Sequence, residues 1–397
     1  MKLLSNKIQN LEESQTLAMA RKSRELINQG LDIISLSLGE PDFNTPDFIK
    51  NAAKKAIDNN FSHYTPVPGM KELRDSISKK FKRDNNLNYT SEEIVVSTGA
   101  KQSLAQLMTA LLNPGDEVII PCPYWVSYYQ MIKMNEGIPV KIETDIENDY
   151  KVKPNQIKSS ITSKTKAFLF SSPCNPSGSV YSLKELEEIS NIFSDFPNII
   201  IISDEIYEHI CFNKKHESIG QFNNIKNRVV TVNGVSKGFA MTGWRVGYLG
   251  APIWLAKACN KIQGQITSAT CSIAQKATEA ALKADPKCTK EMNFAFKRRR
   301  DLLINELRKI KKLKINIPEG AFYIFPNVNN FFDKSYKNFH VKNSNDLSMY
   351  LLKYAHVSTV PGIAFGNNDC IRISYAASDE ILIDAASRIR KYLNLLT

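Results

Sequence analysis

No stretch of the 397-residue chain approaches the ~18 consecutive apolar residues that a membrane-spanning helix requires. The opening MKLLSNKIQNLEESQ has no apolar core followed by a small-residue cleavage site, so the sequence argues for a cytoplasmic protein with no membrane partner. Seven cysteines are scattered without a C-x-x-C pair, and their odd number argues against both a disulfide framework and a structural zinc. Histidine occurs five times, without an H-x-x-x-H pair. Glu208 and His209 are adjacent and would point apart on a helix, so no metal site is expected. Repeats, low-complexity tracts and Gly/Ser linkers are missing as well, which implies a compact chain throughout.

What the chain does have is size, apolar residues and positive charge. Its length exceeds what one core usually supports, so two domains are expected, and a hydrophobic share of 43% supplies their interiors. The net charge of +12 raises the question of a nucleic-acid partner. The charge is spread along the chain, however, and none is expected. The densest cluster, Lys297 to Asp301, is interleaved with Phe294, Phe296, Leu302, Leu303 and Leu307, which reads as the solvated face of a long amphipathic helix.

Short apolar runs alternate with helical patterns through the middle of the chain. EIVVS (93–97), EVII (117–120), KAFLF (166–170), IIII (199–202), VVTV (229–232) and RVGYL (245–249) read as buried strands. Between them, KQSLAQLMTALL places Leu104, Leu107, Met108 and Leu111 on one helical face, and Ser182 with Glu185 forms a capping box for the helix that follows. The alternation predicts an α/β fold with a mostly parallel sheet covered on both faces. After Pro286 the pattern changes to a long charged helix, IPEGAFYIF, a helix over 347–354, the strand CIRISYA and a closing helix over 381–396. This reads as a smaller α+β lobe, joined by an N-terminal helix over 18–29 and the segment DIISLSLGEPDF. The expected division is a large domain over 47–290 and a small one over 1–46 and 291–397.

In parallel sheets ligands bind beyond the carboxyl ends of the strands, so the residues after each predicted strand carry the chemistry. Thr98-Gly99-Ala100-Lys101 joins a strand to a helix whose free N–H groups and dipole favour a phosphate, or else it is a plain tight turn. Asp204, after four isoleucines and Ser203, either caps a following helix or pairs with a buried cation. Asn175 in PCNPSG serves equally as a turn residue, Trp125 as core, Arg372 as a solvent-facing strand residue, and Lys237 as a buried aliphatic stem. Each is ambiguous alone; the order of all but Arg372, each after its own strand, is not.

With SKGFAMTGWRVG (236–247), NPSG and SDEIYE in this order and separation, the chain resembles the class I/II, fold-type I aminotransferases. Within them it is similar to the bacterial branch of aspartate and prephenate aminotransferases, from SLGEPDFNTP to IRISYA. The resemblance implies a seven-stranded sheet, the cofactor pyridoxal 5′-phosphate and a ping-pong exchange of an amino group between an amino acid and a 2-oxo acid. Lys237 would form the Schiff base, Asp204 would keep the pyridine nitrogen protonated, and Tyr207 and Asn175 would bond the phenolic oxygen. Trp125 would stack on the ring. Gly99, Ala100, Lys101 and Arg245 would surround the phosphate, with Tyr64 of the partner subunit in a homodimer.

Arg372 would grip the substrate α-carboxylate as a planar fork, Gly39 would let the backbone approach it, and Lys101, Ser14 and Thr16 would meet a distal carboxylate. Aspartate with 2-oxoglutarate is the first expectation, with prephenate or aromatic substrates next and a carbon-sulfur lyase after them. One departure stands out: relatives often place a hydroxyl residue three positions before the lysine, where this chain has Gly234, and Ser236 is left open as a substitute.

Overall fold

The computed structural model describes residues 3–9, 11–213 and 215–397. Seven strands form its main sheet: β1 (Ile94–Ser97), β2 (Glu117–Pro121), β3 (Ile138–Ile142), β4 (Thr165–Ser171), β5 (Ile200–Asp204), β6 (Val229–Gly234) and β7 (Gly247–Gly250). Their order across the sheet is β1-β7-β6-β5-β4-β2-β3, parallel throughout except for β7, which runs against both neighbours. The six runs read from the sequence are all present. β3 was not among them, because IPVKI at the sheet edge is only partly buried and mixes Pro139 and Lys141 with apolar residues. RVGYL begins its strand at Gly247; Arg245 takes a left-handed conformation (φ 56°) and turns the chain before it.

Alternation within the strands builds a core on each face. Val95, Val118, Ile120, Leu169, Ile202 and Val232 pack with Leu104, Leu107 and Met108 of the helix Ala100–Leu111 on one side. Ile94, Val96, Ile119, Phe168 and Ile201 point the other way, against helices that include Lys71–Asn85 and Leu183–Ser194. The second of these starts as its sequence requires: Ser182 Oγ accepts from the Glu185 N–H (3.3 Å), and Glu185 accepts from the Ser182 N–H (2.7 Å).

A third core joins Leu36 to residues between Met292 and Leu396, around a three-stranded antiparallel sheet. Its strands are β8 (Tyr323–Ile324), β9 (Val360–Pro361) and β10 (Ile371–Ser374), with β10 in the centre. Chain ends meet here: Ile34–Ser35 pairs in parallel with Val357–Ser358, and Met19 of the helix Gln15–Asn28 packs on Ile33 and Leu352.

The long helix spans Lys290–Leu307, and its basic cluster is not simply a solvated face. Arg299 is 7% exposed and forks onto Asp42 at 2.7 and 2.8 Å, while Arg300, 3% exposed, donates to the Pro318 carbonyl (2.8 Å). The helical period carries both arginines inward with Leu303 and Leu307, whereas Phe294, expected among the apolar set, is 70% exposed.

Candidate active site

A cavity of about 410 Å³ opens at the carboxyl ends of β4, β5 and β6, where Ser171, Asp204 and the Ser236-Lys237 pair emerge. Tyr323 of β8 and Arg372 of β10 complete it from the smaller sheet, and Ser14, Thr16 and Gly39 from the N-terminal part of the chain. Every site residue expected from the sequence lines this cavity except Gly99, which lies directly behind Arg245, and Tyr64, whose side chain is 98% exposed.

Asp204 ends β5, a strand buried along its whole length, and is 4% exposed. Its carboxylate accepts from the Tyr128 hydroxyl (2.6 Å) and weakly from the Ile206 N–H (3.3 Å). Among the described residues no cationic side chain pairs with it. Burial accordingly lifts its pKa from the ordinary 3.8 to about 6, against the opposing pull of Tyr128. The carboxylate is therefore set to meet a donor or cation in the cavity.

No helix follows Asp204. Residues 206–209 form a turn, held by a buried polar group beneath it. Glu205 accepts from Ser203 (3.0 Å), Ser218 (2.6 Å) and His216 (2.9 Å), and Glu208 pairs with Lys80 and accepts from Asn85 (2.7 Å). Because the backbone is not helical, His209 reaches its neighbour Glu208 at 3.2 Å instead of pointing away. Ligand atoms of Glu205, Glu208 and His216 lie within 4.8 Å of one another, as a metal site would need, but the Lys80 ammonium already takes the cation's place against Glu208.

Lys237 follows β6 and is partly buried. Its Nζ donates to the Gly39 carbonyl at 2.5 Å and lies 5.8 Å from the centre of the Tyr207 ring. Burial lowers its pKa to about 8, aided by Arg372 and Arg245 and opposed by Glu40. A substantial share of this amine is therefore neutral near physiological pH.

Arg372 is 2% exposed, held between the Tyr323 ring (4.5 Å to its centre) and the Phe365 ring (5.0 Å). Nη1 donates to Asn175 Oδ1 (2.9 Å), Nη2 to the Ser37 carbonyl (2.5 Å), and Nε has no partner. A guanidinium carries five N–H donors, so a buried cation keeps donors for an incoming anion. Asn175, accepting through its oxygen, retains its amide NH2 for the cavity. Tyr207 bonds hydroxyl to hydroxyl with Tyr323 at 2.7 Å.

The anion-binding corner is shaped by glycines. Gly99 adopts φ 82°, and a Cβ there would fall 2.3 Å from Arg245 Nη2. Arg245 is anchored by the Thr242 carbonyl (2.9 Å), beside the start of the helix Ala100–Leu111. Lys101 lies 5.0 Å over the Trp125 ring. A Cβ at Gly234 would crowd the Gly247 Cα and the Val246 carbonyl at 3.0 Å, and Ser236 lines the cavity.

Sequence reasoning overlooked Tyr128 and Tyr323. Tyr128 sits one helical turn beyond Trp125, a spacing that would have disclosed it. Tyr323 belongs to a two-residue strand in GAFY, which carries no periodic signal.

A doubly covered parallel sheet with a lysine, a cation-less buried carboxylate and two arginines in one cavity at its carboxyl edge defines a fold-type I enzyme for phosphorylated pyridine chemistry. The profile of the family "Aminotransferase class I and II" matches residues 31–389, and the chain belongs to that family. It is 44% identical to a probable aspartate/prephenate aminotransferase of Rickettsia felis, with 98% of this chain and 96% of that protein aligned. It is equally 44% identical to a bifunctional aspartate aminotransferase and glutamate/aspartate-prephenate aminotransferase of Petunia hybrida, over 98% of this chain and 82% of the relative. The crystal structure of an aspartate aminotransferase from Rhizobium meliloti superposes with a TM-score of 0.96 at 40% identity, covering all of both chains. That of the Thermus thermophilus enzyme with maleate gives 0.93 at 38%, over 99% and 100%.

The protein is thus an aminotransferase, and its cofactor is pyridoxal 5′-phosphate. The residues fit that group: an amine of lowered pKa for its aldehyde, a carboxylate lacking a cation for its pyridine nitrogen, and Arg245 with a helix N-terminus for its phosphate.

Proposed function

We propose that this chain exchanges the amino group of aspartate with 2-oxoglutarate by a ping-pong mechanism, as a cytoplasmic homodimer. The observation that carries the reading is that Arg372 and Lys101, two separate cations, line one cavity together with Ser14 and Thr16. A dicarboxylic amino acid has two carboxylates to match them. Bound pyridoxal phosphate supplies an electron sink for the charge left at the substrate Cα. The chain's residues do the rest. Arg372 grips the α-carboxylate, and with Asn175 it orients the Cα–H bond toward Lys237. The neutral Lys237 amine takes that proton and returns it, while Asp204 holds a proton at the pyridine nitrogen. Tyr207 and Asn175 would donate to the cofactor's phenolic oxygen, and Trp125 would lie against its ring. Gly99, Ala100 and Lys101 would enclose the phosphate through their backbone at the helix N-terminus, with the Arg245 guanidinium beside them, completed by Tyr64 of the partner subunit, which its exposure in a single chain permits. Residues 47–290 act as the cofactor-binding domain and 1–46 with 291–397 as the smaller one.

Prephenate is the second reading, supported by Leu17 and Leu38, which add exposed apolar lining to the same cavity. Relatives named for both substrates support it too. Steady-state rates with aspartate, glutamate, prephenate, phenylalanine and alanine test the proposal. Lys101→Ala is expected to lower kcat/KM for aspartate about 10- to 100-fold and for alanine less than about threefold. Equal losses for both, or wild-type activity with alanine alone, would exclude the dicarboxylate reading.

A further inference from the structure

We propose that Tyr323 is a positioning residue of the transamination site: its hydroxyl donates to Tyr207, leaving the Tyr207 proton free to be donated into the cavity. The inference rests on the cofactor site described above and adds to it the direction of a two-hydroxyl relay.

The two oxygens are 2.7 Å apart, both side chains are essentially buried, and the rings meet edge to face at 80°. Each hydroxyl has one proton to give. If Tyr207 donated to Tyr323, it would present only lone pairs to the cavity, facing the anionic phenolic oxygen of the cofactor. The opposite order satisfies both groups, and each bond in such a chain polarises the next. Tyr323 has little freedom to swing away. Its oxygen occupies the space of a Gly39 side chain, since a Cβ on Gly39 would fall 2.2 Å from it. Its ring is pinned against the Arg372 guanidinium, 4.5 Å from ring centre to Cζ. One side chain therefore supports the substrate-binding Arg372 with its ring face and Tyr207 with its hydroxyl, and the two roles can be separated by substitution.

Tyr207 is faced by Tyr323, Arg372, Asp204 and Lys237, and Lys237 in turn by Glu40, Arg372, Arg245 and Asp204. Tyr323→Phe changes none of these charges and keeps the ring under Arg372. Donation by Tyr207 stabilises the phenolic oxygen as an anion and so loosens the proton shared with the nitrogen of Lys237.

The test is the pH midpoint of the bound cofactor's visible absorbance in the holoenzymes of wild type, Y323F, Y207F and the double variant. Y323F is expected to raise the midpoint by about half a unit to one unit, the range of a single hydrogen bond. Y207F should raise it further, and the double variant should match Y207F alone, because Tyr323 acts only through Tyr207. With the ring retained, KM for the amino donor should stay within about twofold while kcat falls roughly three- to tenfold. G39A, which pushes the same hydroxyl aside from its other flank, should move the midpoint in the same direction.

A Y323F midpoint within about 0.2 unit of wild type, or shifts that add in the double variant, overturns the proposal. A G39A shift of opposite sign does the same. Absence of any cofactor band in the wild type would instead overturn the site assignment on which it rests.

Discussion

Replacing Asp204 with asparagine should stabilise the cofactor-free protein and cripple the loaded one. Burial holds the Asp204 pKa at about 6 against an ordinary 3.8, so the folded chain binds this proton more tightly than the unfolded chain does. Stability therefore falls as pH rises from about 4 to about 6 and stays reduced above that window. A displacement of about 2 corresponds to roughly 3 kcal/mol at pH 8. Asparagine has no charge to bury and still accepts from Tyr128, so Asp204→Asn should recover up to about that amount at pH 8, nearly all of it at pH 7 and about half at pH 5. With an unfolding entropy of about 2.1 cal/mol/K per residue, 397 residues give about 0.8 kcal/mol/K, so the gain amounts to about 3–4 °C in Tm. Thermal scans of both proteins, free of cofactor and at one protein concentration, measure it between pH 5 and 8. In the loaded enzyme the sign reverses: the pyridine nitrogen loses its partner, turnover should drop by about two orders of magnitude or more, and the cofactor should raise Tm less than it does in wild type. A cofactor-free variant no more stable than wild type at pH 8 would refute the idea of an unpaired buried carboxylate.

Two other outcomes follow from the same cavity. Because only a neutral amine attacks the cofactor aldehyde and burial brings Lys237 down to about 8, the rate of cofactor uptake by the cofactor-free protein should climb with pH around a midpoint near 8; stopped-flow absorbance reads it, and a midpoint above 10 would contradict the burial argument. Arg372→Lys keeps the charge but loses the fork, so kcat/KM for any amino acid should fall about 30- to 1000-fold, and an unchanged value would remove Arg372 from substrate binding.

Much of this site was readable without coordinates, for a physical reason. Strands buried on both faces leave unbroken apolar runs, and the polar residue ending each run is conspicuous: Asp204 after four isoleucines, Asn175 in its turn, Lys237 among small and aromatic neighbours. Arg299 and Arg300 were misread because composition shows a basic cluster without showing that two of its members turn inward to Asp42 and to the Pro318 carbonyl. That Glu208 meets Lys80 escaped notice for a similar reason. Their pairing joins a helix in the first quarter of the chain to a turn more than a hundred residues later, and only three-dimensional closure brings them together. Tyr323 was invisible because a two-residue strand has no period.

Ser14 and Arg372, near opposite termini, face the same enclosed space as Lys237 in the middle. A ribosome must therefore have made the chain at least as far as Arg372 before this space can hold substrate. Lys237 gains its lowered pKa only once that space closes around it, so a nascent chain carries an ordinary protonated lysine and vitamin capture serves as a readout of folding.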